Sequence, residues 1–224
     1  MRATLRRWKG LLCLAGMAIA WQARAADMEC AASHPAIAPA YRQQIEAMNR
    51  QLGIADDYAA SHHLELMPQA SHLADAGKDI QGRKVRLAPR AAMALQEMMR
   101  AARSEDVTLQ IVSGYRSAEY QAALLRQKLH RGMRLESALR INTPPGYSEH
   151  QTGCAVDLTT PGAAAAETAF ADTAAYRWLQ RHATEYGFHL SYPAGNPDGI
   201  EYEPWHWRYV AATPSRHVGG VEVE

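Results

Sequence analysis

Residues 148–157 read Ser-Glu-His-Gln-Thr-Gly-Cys-Ala-Val-Asp, so that a histidine and an aspartate flank a glycine. The run from Gly153 to Leu158 predicts a strand. Alternation along this strand puts Asp157 on one face and its apolar neighbours, Cys154 among them, on the other. The apolar face should enter the core, so that Asp157 faces a cleft beside His150. Cys154 is therefore not expected to bind a metal.

A second segment, residues 203–208, reads Glu-Pro-Trp-His-Trp-Arg. Strict alternation would send Glu203 and His206 to opposite faces of a strand. Pro204 prevents a regular ladder and holds the preceding residue extended. A bend at this proline would let both side chains reach one site.

Together the two segments offer His150, Asp157 and His206 as nitrogen, oxygen and nitrogen ligands. Three protein ligands and one open position are typical of hydrolytic zinc sites. Glu203 then fits as the base that takes a proton from water. A structural interpretation stays open at this point. A histidine beside tryptophan is usually a packed core residue, and an aspartate can simply cap a turn.

The N-terminal composition predicts export. Four basic residues precede an apolar run from Leu11 to Trp21, and Ala-Arg-Ala follows at 23–25. We predict a signal peptide over residues 1–25, because about a dozen apolar residues cannot span roughly 30 Å of hydrocarbon. Without it the chain keeps 19 basic and 23 acidic residues, a formal charge of −4. We expect a periplasmic or secreted protein without stable membrane insertion, a monomer with no affinity for nucleic acid.

Export would leave Cys30 and Cys154 in an oxidising compartment. Nothing in the sequence shows that the two cysteines meet. A disulfide and a buried free thiol at Cys154 therefore both stay open.

The pattern along the chain mixes helices and strands without regular alternation, which favours an α+β domain. Residues 54–82 are polar and rich in histidine, and we expect them to be irregular. We expect residues 26–82 to form a helical and irregular segment packed on the core, and residues 83–224 to form the catalytic domain. The predicted helices are Ala40–Leu52, Arg90–Arg103, Ala118–His130 and Phe170–Tyr186, and the predicted strands are Lys84–Leu87, Val107–Val112, Gly153–Leu158, Phe188–Tyr192 and Trp205–Val210.

The motifs of this chain resemble those of the VanY-type D-alanyl-D-alanine carboxypeptidases, a group of zinc metallopeptidases that also includes L,D-carboxypeptidases and VanX-type dipeptidases. The family pattern Ser-x-His-x-x-Gly-x-Ala-x-Asp is met at 148–157, and Glu-x-x-His is met at 203–206. Ser-Gly-Tyr-Arg-Ser is intact at 113–117, and the glutamine that follows it in the family matches Gln121. The similarity runs in the right order from about Lys84 to Val210.

The resemblance implies the Hedgehog/DD-peptidase-like fold, a central antiparallel sheet flanked by helices. It implies one zinc ion held by His150, Asp157 and His206, with Glu203 as general base and then proton donor. Arg116 would hold the substrate near the scissile carbonyl and stabilise negative charge there, although this arginine could also be a structural ion-pair partner. The residues that would line the pocket for the terminal residue of the substrate are Ser113, Gln121, Tyr147 and Ser148.

The implied activity is removal of the C-terminal D-alanine from peptidoglycan stem peptides. Two alternatives stay within the same family, an L,D-carboxypeptidase and a peptidoglycan endopeptidase. A third alternative is a non-catalytic, zinc-containing cell-wall binding protein, since the fold can persist after catalysis is lost. The presence of Glu203 argues against this last alternative, because a binding protein would not require a base.

Overall fold

The structure, a computed structural model, describes residue 30 and residues 36–196 and 200–211. The predicted signal peptide lies outside these residues. The helices are α1 (Pro39–Gln51), α2 (Tyr58–Ser61), α3 (Pro89–Ser104), α4 (Ala118–His130), α5 (Leu135–Arg140) and α6 (Ala174–His182). The strands are β1 (Ala74–Lys78), β2 (Lys84–Leu87), β3 (Gln110–Ser113), β4 (Ala155–Thr159), β5 (Phe188–Leu190) and β6 (His206–Tyr209). Short 3-10 helices cover Glu149–Thr152, Thr168–Asp172 and Ala183–Tyr186. No helix in the described part of the chain is long and apolar enough to cross a membrane.

Four strands form an antiparallel sheet in the order β3-β4-β6-β5. The central strand β4 is buried along its whole length. Asp157 lies opposite His206 on one side and Ser113 on the other. The register of β3 shifts between Ile111 and Ser113, and such irregularities commonly re-aim side chains beside active sites. The sheet therefore brings Asp157 and His206 together through main-chain pairing.

The two faces of β4 separate core from site, as the alternation predicted. Val156 and Leu158 are fully buried in the main hydrophobic core. They share that core with Leu95 and Met98 of α3 and with Trp178 of α6. Truncation of such a fully buried side chain to alanine typically costs about 2–5 kcal/mol. The helices therefore pack against the core face of β4 and leave Asp157 on the opposite face. The expected α+β fold with a central antiparallel sheet is confirmed.

Helix starts follow local sequence signals. Pro39 and Pro89 occupy the first turns of α1 and α3, where their fixed φ suits a helix and no backbone donor is lost. The Ser117 side chain accepts a hydrogen bond of 3.1 Å from the amide of Tyr120 and caps α4. This cap fixes where α4 begins, and thereby places Gln121 one turn into the helix.

The prediction that residues 54–82 are irregular is wrong in part. This stretch contains α2 and β1, and β1 pairs antiparallel with β2. The sequence of β1, Ala-Asp-Ala-Gly-Lys, has low strand propensity, so the strand depends on its partner and not on local preference.

The N-terminal segment is fastened to the loop that precedes the first motif. The Asn49 side chain donates to the carbonyl oxygen of Pro145 at 3.1 Å. The amide of Met67 donates to the carbonyl oxygen of Gly146 at 2.8 Å. Gly146 has a positive φ, and a Cβ there would lie 2.3 Å from a methyl group of Ile45. Only glycine allows this close approach.

The predicted helix Phe170–Tyr186 is also corrected. A 3-10 helix ends at Asp172, and the Thr173 side chain then caps α6 by accepting from the Tyr176 amide at 3.1 Å. A threonine that bonds the backbone in this way favours a new helix start over a continuous helix. The predicted strands keep their positions, β2 with its predicted bounds and the others with one or both ends that differ by one to three residues, of which β3 and β4 each end one residue later than predicted.

Cys30 and Cys154 form a disulfide that closes a sequence separation of 124 residues. Both residues are buried, and Cys154 directly precedes β4. The carbonyl oxygen of Cys30 also accepts a hydrogen bond of 2.8 Å from the amide of Ala211. The disulfide decides between the two alternatives for Cys154 that the sequence left open.

Candidate metal centre and active-site cleft

Three side chains from two neighbouring strands and one turn converge on one point. His150, Asp157 and His206 are buried, and their potential ligand atoms lie within 4.8 Å of one another. Oδ1 of Asp157 is 3.2 Å from Nε2 of His150 and 3.1 Å from Nδ1 of His206. The structure therefore brings together the predicted nitrogen, oxygen and nitrogen set. Within the described residues, this is the group of three or more such side chains that could hold a metal ion.

The short 3-10 helix Glu149–Thr152 aims His150. It ends at Gly153, which has a φ of 71°. A side chain at Gly153 would meet the backbone nitrogen of Ala88 at 2.9 Å, so the turn requires glycine. The Nδ1 atom of His150 lies 2.7 Å from the carbonyl oxygen of Gly114. A carbonyl can only accept, so Nδ1 carries the proton and Nε2 presents a lone pair.

The Nε2 atom of His150 is buried and has no hydrogen-bond partner among the described residues. Burial lowers the pKa of His150 to about 4, with the positive charge of Arg116 acting in the same direction. The imidazole is therefore neutral at pH 7. A buried lone pair beside a carboxylate oxygen, with no proton donor facing it, suits a cation. The donor set of two imidazoles and one carboxylate fits zinc.

The second imidazole is oriented by a side chain. Nε2 of His206 lies 2.9 Å from Oε2 of Glu149, and Nδ1 faces Asp157. A proton on Nε2 that is donated to Glu149 leaves Nδ1 as the ligand atom. The ring of Tyr192 packs at 4.9 Å from the ring of His206 and restricts its position further.

Glu149 is itself held by several donors, although it is only 7% exposed. Ser191 donates to its Oε2 at 2.6 Å, and Arg208 donates to its Oε1 at 3.1 Å. Burial raises the pKa of Glu149, but the hydrogen bond and charge of His206, followed by Arg208 and Ser191, outweigh it and lower the pKa to about 2. The carboxylate therefore stays ionised and accepts from His206.

Sequence reasoning missed Glu149 as a functional residue. It lies next to His150 in the chain, yet its carboxylate contacts an imidazole 57 residues away. The 3-10 turn produces this divergence, because successive side chains on a helix point in different directions. Its near-complete burial is the signal that marks it, since a glutamate is rarely buried without a partner.

His206 differs from His150 in its charge. Burial lowers the pKa of His206, but hydrogen bonds from its ring to Asp157 and Glu149 outweigh this effect and raise the pKa to about 10. Burial likewise raises the pKa of Asp157, yet the two histidines hold it well below its usual range. Without a metal, the positive charge between the Asp157 and Glu149 carboxylates is therefore a proton on His206.

The bend predicted at Glu203-Pro204 is present. The amide of His206 donates to the carbonyl oxygen of Glu203 at 3.0 Å, which closes a turn. Oε2 of Glu203 lies 3.8 Å from Nδ1 of His206, so both side chains reach one site. Burial raises the pKa of Glu203 to about 7, with the Asp157 carboxylate adding to the rise and His206 opposing it. A carboxylate with this pKa can both accept and return a proton near neutral pH.

These groups open into a cleft of about 490 Å³. Its lining includes Arg116, Gln121 and Ser148. Nε of Arg116 and Oε1 of Gln121 are buried and have no hydrogen-bond partner in the part of the chain that the structure describes, while Nε2 of Gln121 donates to the carbonyl oxygen of Thr143 at 2.8 Å. Arg116 and Gln121 therefore each bring to the cleft wall one buried polar atom of the kind that is normally hydrogen-bonded.

Two predicted pocket residues lie elsewhere. Ser113 stands opposite Asp157 in the sheet and is not part of the cleft lining. Tyr147 lines a different cavity, which α1 and residues 54–66 form. Gln121 and Ser148 are the two of the four predicted pocket residues that the structure places in the cleft.

Comparisons with known proteins agree with this geometry. The family model described as VanY, D-alanyl-D-alanine carboxypeptidase, matches residues 84–212. A D-alanyl-D-alanine carboxypeptidase of Enterococcus faecalis is 34% identical over 138 residues, which are 56% of this chain and 50% of that protein. The chain spans about half the length of the curated relatives it matches first.

Two solved structures share the fold. The LdcB LD-carboxypeptidase is 32% identical with a TM-score of 0.59, over 66% of this chain and 75% of that one. A vancomycin-resistance D,D-pentapeptidase VanY variant in complex with Zn(II) is 29% identical with a TM-score of 0.51, over 66% of this chain and 85% of that one. The family match covers more than half of the chain and contains every residue of the candidate metal centre. The chain belongs to the VanY family of D-alanyl-D-alanine carboxypeptidases.

Proposed function

We propose that this protein is a zinc-dependent D-alanyl-D-alanine carboxypeptidase that removes the terminal D-alanine from peptidoglycan stem peptides. The observation that carries the proposal is the convergence of His150, Asp157 and His206 within 4.8 Å, with the Glu203 carboxylate 3.8 Å from one of them. The zinc-bound VanY structure and the activity named for the Enterococcus faecalis relative support the metal and the substrate class.

Zinc, when bound, supplies Lewis acidity that lowers the pKa of a coordinated water from 15.7 toward about 7. Nε2 of His150, Oδ1 of Asp157 and Nδ1 of His206 would hold it. Glu203 accepts one proton from the attacking water and then delivers it to the departing amine nitrogen, so that the peptide bond breaks without a covalent enzyme intermediate. A pKa near 7 suits both halves of this exchange.

Arg116 and Gln121 would position the substrate. The Arg116 guanidinium has an unsatisfied buried Nε and perturbs the pKa values of both His150 and Glu203, so it lies close to both. A fixed cation there can stabilise the negative charge that develops on the scissile carbonyl oxygen. Gln121 and Ser148 can bind the polar groups of the terminal residue, whose carboxylate must exchange water for fixed donors.

Mass spectrometry of digested muropeptides tests the reaction. The zinc-loaded protein should convert pentapeptide stems into tetrapeptides with release of free alanine. Conversion of tetrapeptides into tripeptides would assign the L,D-carboxypeptidase activity instead. Loss of cross-linked dimers with pentapeptides untouched would assign an endopeptidase. Zinc binding without any cleavage would leave only a binding role.

The proposal includes location outside the cytoplasm, periplasmic or secreted, as a monomer that is not anchored in the membrane. The basic N-terminus, short apolar run and Ala-Arg-Ala at 23–25 support export. The Cys30–Cys154 disulfide supports an oxidising compartment. The intact mass of the exported protein should correspond to a chain that starts at Ala26, and light scattering should give the mass of one chain. Retention of residues 1–25 would contradict the proposed cleavage.

A further inference from the structure

A second cavity of about 240 Å³ adjoins the cleft. The two share the wall from Arg140 to Thr143 and the side chain of Glu203. The N-terminal segment contributes Tyr58, His62 and Leu64 to the second cavity. These three residues precede the part of the chain that the family model matches, which begins at residue 84. This cavity therefore combines the catalytic domain with a segment outside the family match.

The contribution of the N-terminal segment is firmly placed. Tyr58 packs against a small core that includes Leu52 and Ile54 of its own segment and Leu125 and Leu139 of the catalytic domain. Its ring stacks on the ring of His62 with the centroids 3.9 Å apart and the planes 18° apart. The wall is thus preformed, and a ligand would not have to order it.

The shared wall is chemically mixed. Ile141 is 50% exposed although it is a large aliphatic residue. Arg140 lines both cavities, and within the described residues no carboxylate forms an ion pair with it. An exposed apolar side chain next to an unpaired guanidinium suits a ligand that carries methylene groups and a carboxylate.

The direction of the cleft indicates which ligand fits. The substrate of a carboxypeptidase has a single residue on the C-terminal side of the bond that is cut. The rest of the peptide must therefore extend away from that bond on the other side. The second cavity borders Glu203, but its lining contains neither Gln121 nor Ser148, the residues assigned to the terminal D-alanine. A larger cavity of about 850 Å³ continues beyond Tyr58, Leu64 and Pro144. An extended chain could follow this course away from the scissile bond.

We propose that the second cavity is a subsite for the stem peptide on the N-terminal side of the scissile bond, with Tyr58 and Ile141 against its aliphatic part and Arg140 against a carboxylate. This inference rests on the proposed carboxypeptidase function. It makes the N-terminal segment a determinant of substrate length.

Two peptides test the subsite. One is an N-acetylated tripeptide that ends in Lys-D-Ala-D-Ala, and the other is a pentapeptide with the same ending and an acidic second residue. Dissociation constants are measured by calorimetry in a zinc-loaded Glu203→Gln background, which should bind without cleaving. The pentapeptide should bind about tenfold tighter than the tripeptide, as one ion pair with Arg140 together with apolar contact on Tyr58 and Ile141 would give.

The variants Arg140→Gln and Tyr58→Ala should reduce this preference for the longer peptide, while binding of the tripeptide stays the same. Tyr58→Phe keeps the ring and should keep the preference. Arg100→Gln is the charge control, because Arg100 is exposed on α3 and lines neither cavity. If the Tyr58→Ala variant does not fold, the Arg140→Gln variant still tests the subsite, because Arg140 is exposed.

Equal affinity for both peptides, no binding of either peptide, or equal losses for both peptides in the Arg140→Gln variant would overturn the subsite. The wild-type protein separates this result from a failure of the proposed function. Release of D-alanine without a length preference would refute the subsite alone. A length preference in binding without release of D-alanine would refute the function alone.

Discussion

His150 and His206 face the same Asp157 oxygen, yet the protein orients them by different means. A main-chain carbonyl, that of Gly114, accepts from Nδ1 of His150. A side-chain carboxylate, that of Glu149, accepts from Nε2 of His206. The carbonyl partner leaves His150 neutral, with a pKa lowered to about 4, mainly by burial. The carboxylate partners make His206 basic, with a pKa of about 10.

The difference shows that one ligand is ready for a metal and the other must first lose a proton. It also shows where the site is vulnerable to substitution. No side-chain substitution removes the carbonyl oxygen that orients His150, whereas a single change removes the charge that orients His206. The following predictions test this asymmetry.

Loss of Asp157 should have the largest effect, because its Oδ1 lies within 3.2 Å of the ligand nitrogens of both histidines. We expect Asp157→Ala to lose both zinc and activity, and chelation to abolish the activity of the wild-type protein. Metal analysis by mass spectrometry and release of D-alanine measure the two effects. A fully active preparation without metal would contradict the assigned centre.

Substitution of Glu203 should affect catalysis and not zinc binding, because the proposed role of this residue is proton transfer and not metal binding. We expect Glu203→Gln to keep zinc near one ion per chain and to lower kcat by about a hundredfold or more, the usual value of general base catalysis. Stopped assays with a D-Ala-D-Ala peptide measure kcat. Ordinary turnover in this variant would mean that another group is the base.

The substitution Glu149→Gln should weaken the orientation of His206 and leave the orientation of His150 unchanged. Replacement of a carboxylate that orients a metal-binding histidine typically costs about 10- to 100-fold in metal affinity or activity. We expect a loss of zinc affinity in this range, measured by competition with a chelator.

The matched control for this change is Glu185→Gln. Glu185 lies 3.1 Å from Nδ1 of His182 on the surface and has no part in the site. Zinc affinity should not change in this variant. Equal zinc affinities for Glu149→Gln and wild-type protein would show that Tyr192 and the strand position His206 without help from the carboxylate.

Gly114→Ala is the corresponding substitution for His150, since the carbonyl oxygen of Gly114 orients this histidine. A Cβ at Gly114 would lie 2.4 Å from a methyl group of Val85 and 3.0 Å from the carbonyl oxygen of Arg86. Such overpacking typically costs about 1–3 kcal/mol in the free energy of unfolding. We expect a lower thermal midpoint and weaker zinc binding together, because the carbonyl that orients His150 moves with the backbone. Weaker zinc binding at an unchanged thermal midpoint would be inconsistent with a backbone-held ligand.

The smallest predicted effect is the release of a proton from His206 when zinc binds. His206 carries a proton in the metal-free protein up to a pH of about 10, while His150 carries none at pH 7. Zinc must displace that proton, so zinc affinity should rise with pH and at least about one proton should leave per ion bound at neutral pH, with Glu203 adding a fraction of a second. Calorimetry in buffers of different ionisation enthalpy counts the protons. A binding enthalpy that does not vary with the buffer would contradict the charge assigned to His206.

Several elements followed from the sequence because their causes are local. The helix Ala118–His130 has the predicted bounds, since Ser117 supplies its cap. The strand Lys84–Leu87 also has the predicted bounds. The candidate ligands His150, Asp157 and His206 could be predicted because the family motifs that carry them are short, and the structure brings their potential ligand atoms within 4.8 Å of one another. The break near Thr173 was missed because a capping threonine looks the same as one inside a helix.

Other features depend on residues that are far apart in the chain. β1 has weak strand propensity and forms by pairing with β2. The Cys30–Cys154 bond joins residues separated by 124 positions. Local patterns carry no information about such contacts, because the core packing decides which distant segments meet.

The sequence by itself predicted the candidate metal ligands and the candidate base and identified the family, because each depends on short motifs with fixed chemistry. Only the tertiary structure decided that Glu149 contacts His206 and not its neighbour His150, and that Tyr58 lines the second cavity beside the cleft. The physical reason is that a 3-10 turn and a small hydrophobic core set these directions. Both depend on how the whole chain packs.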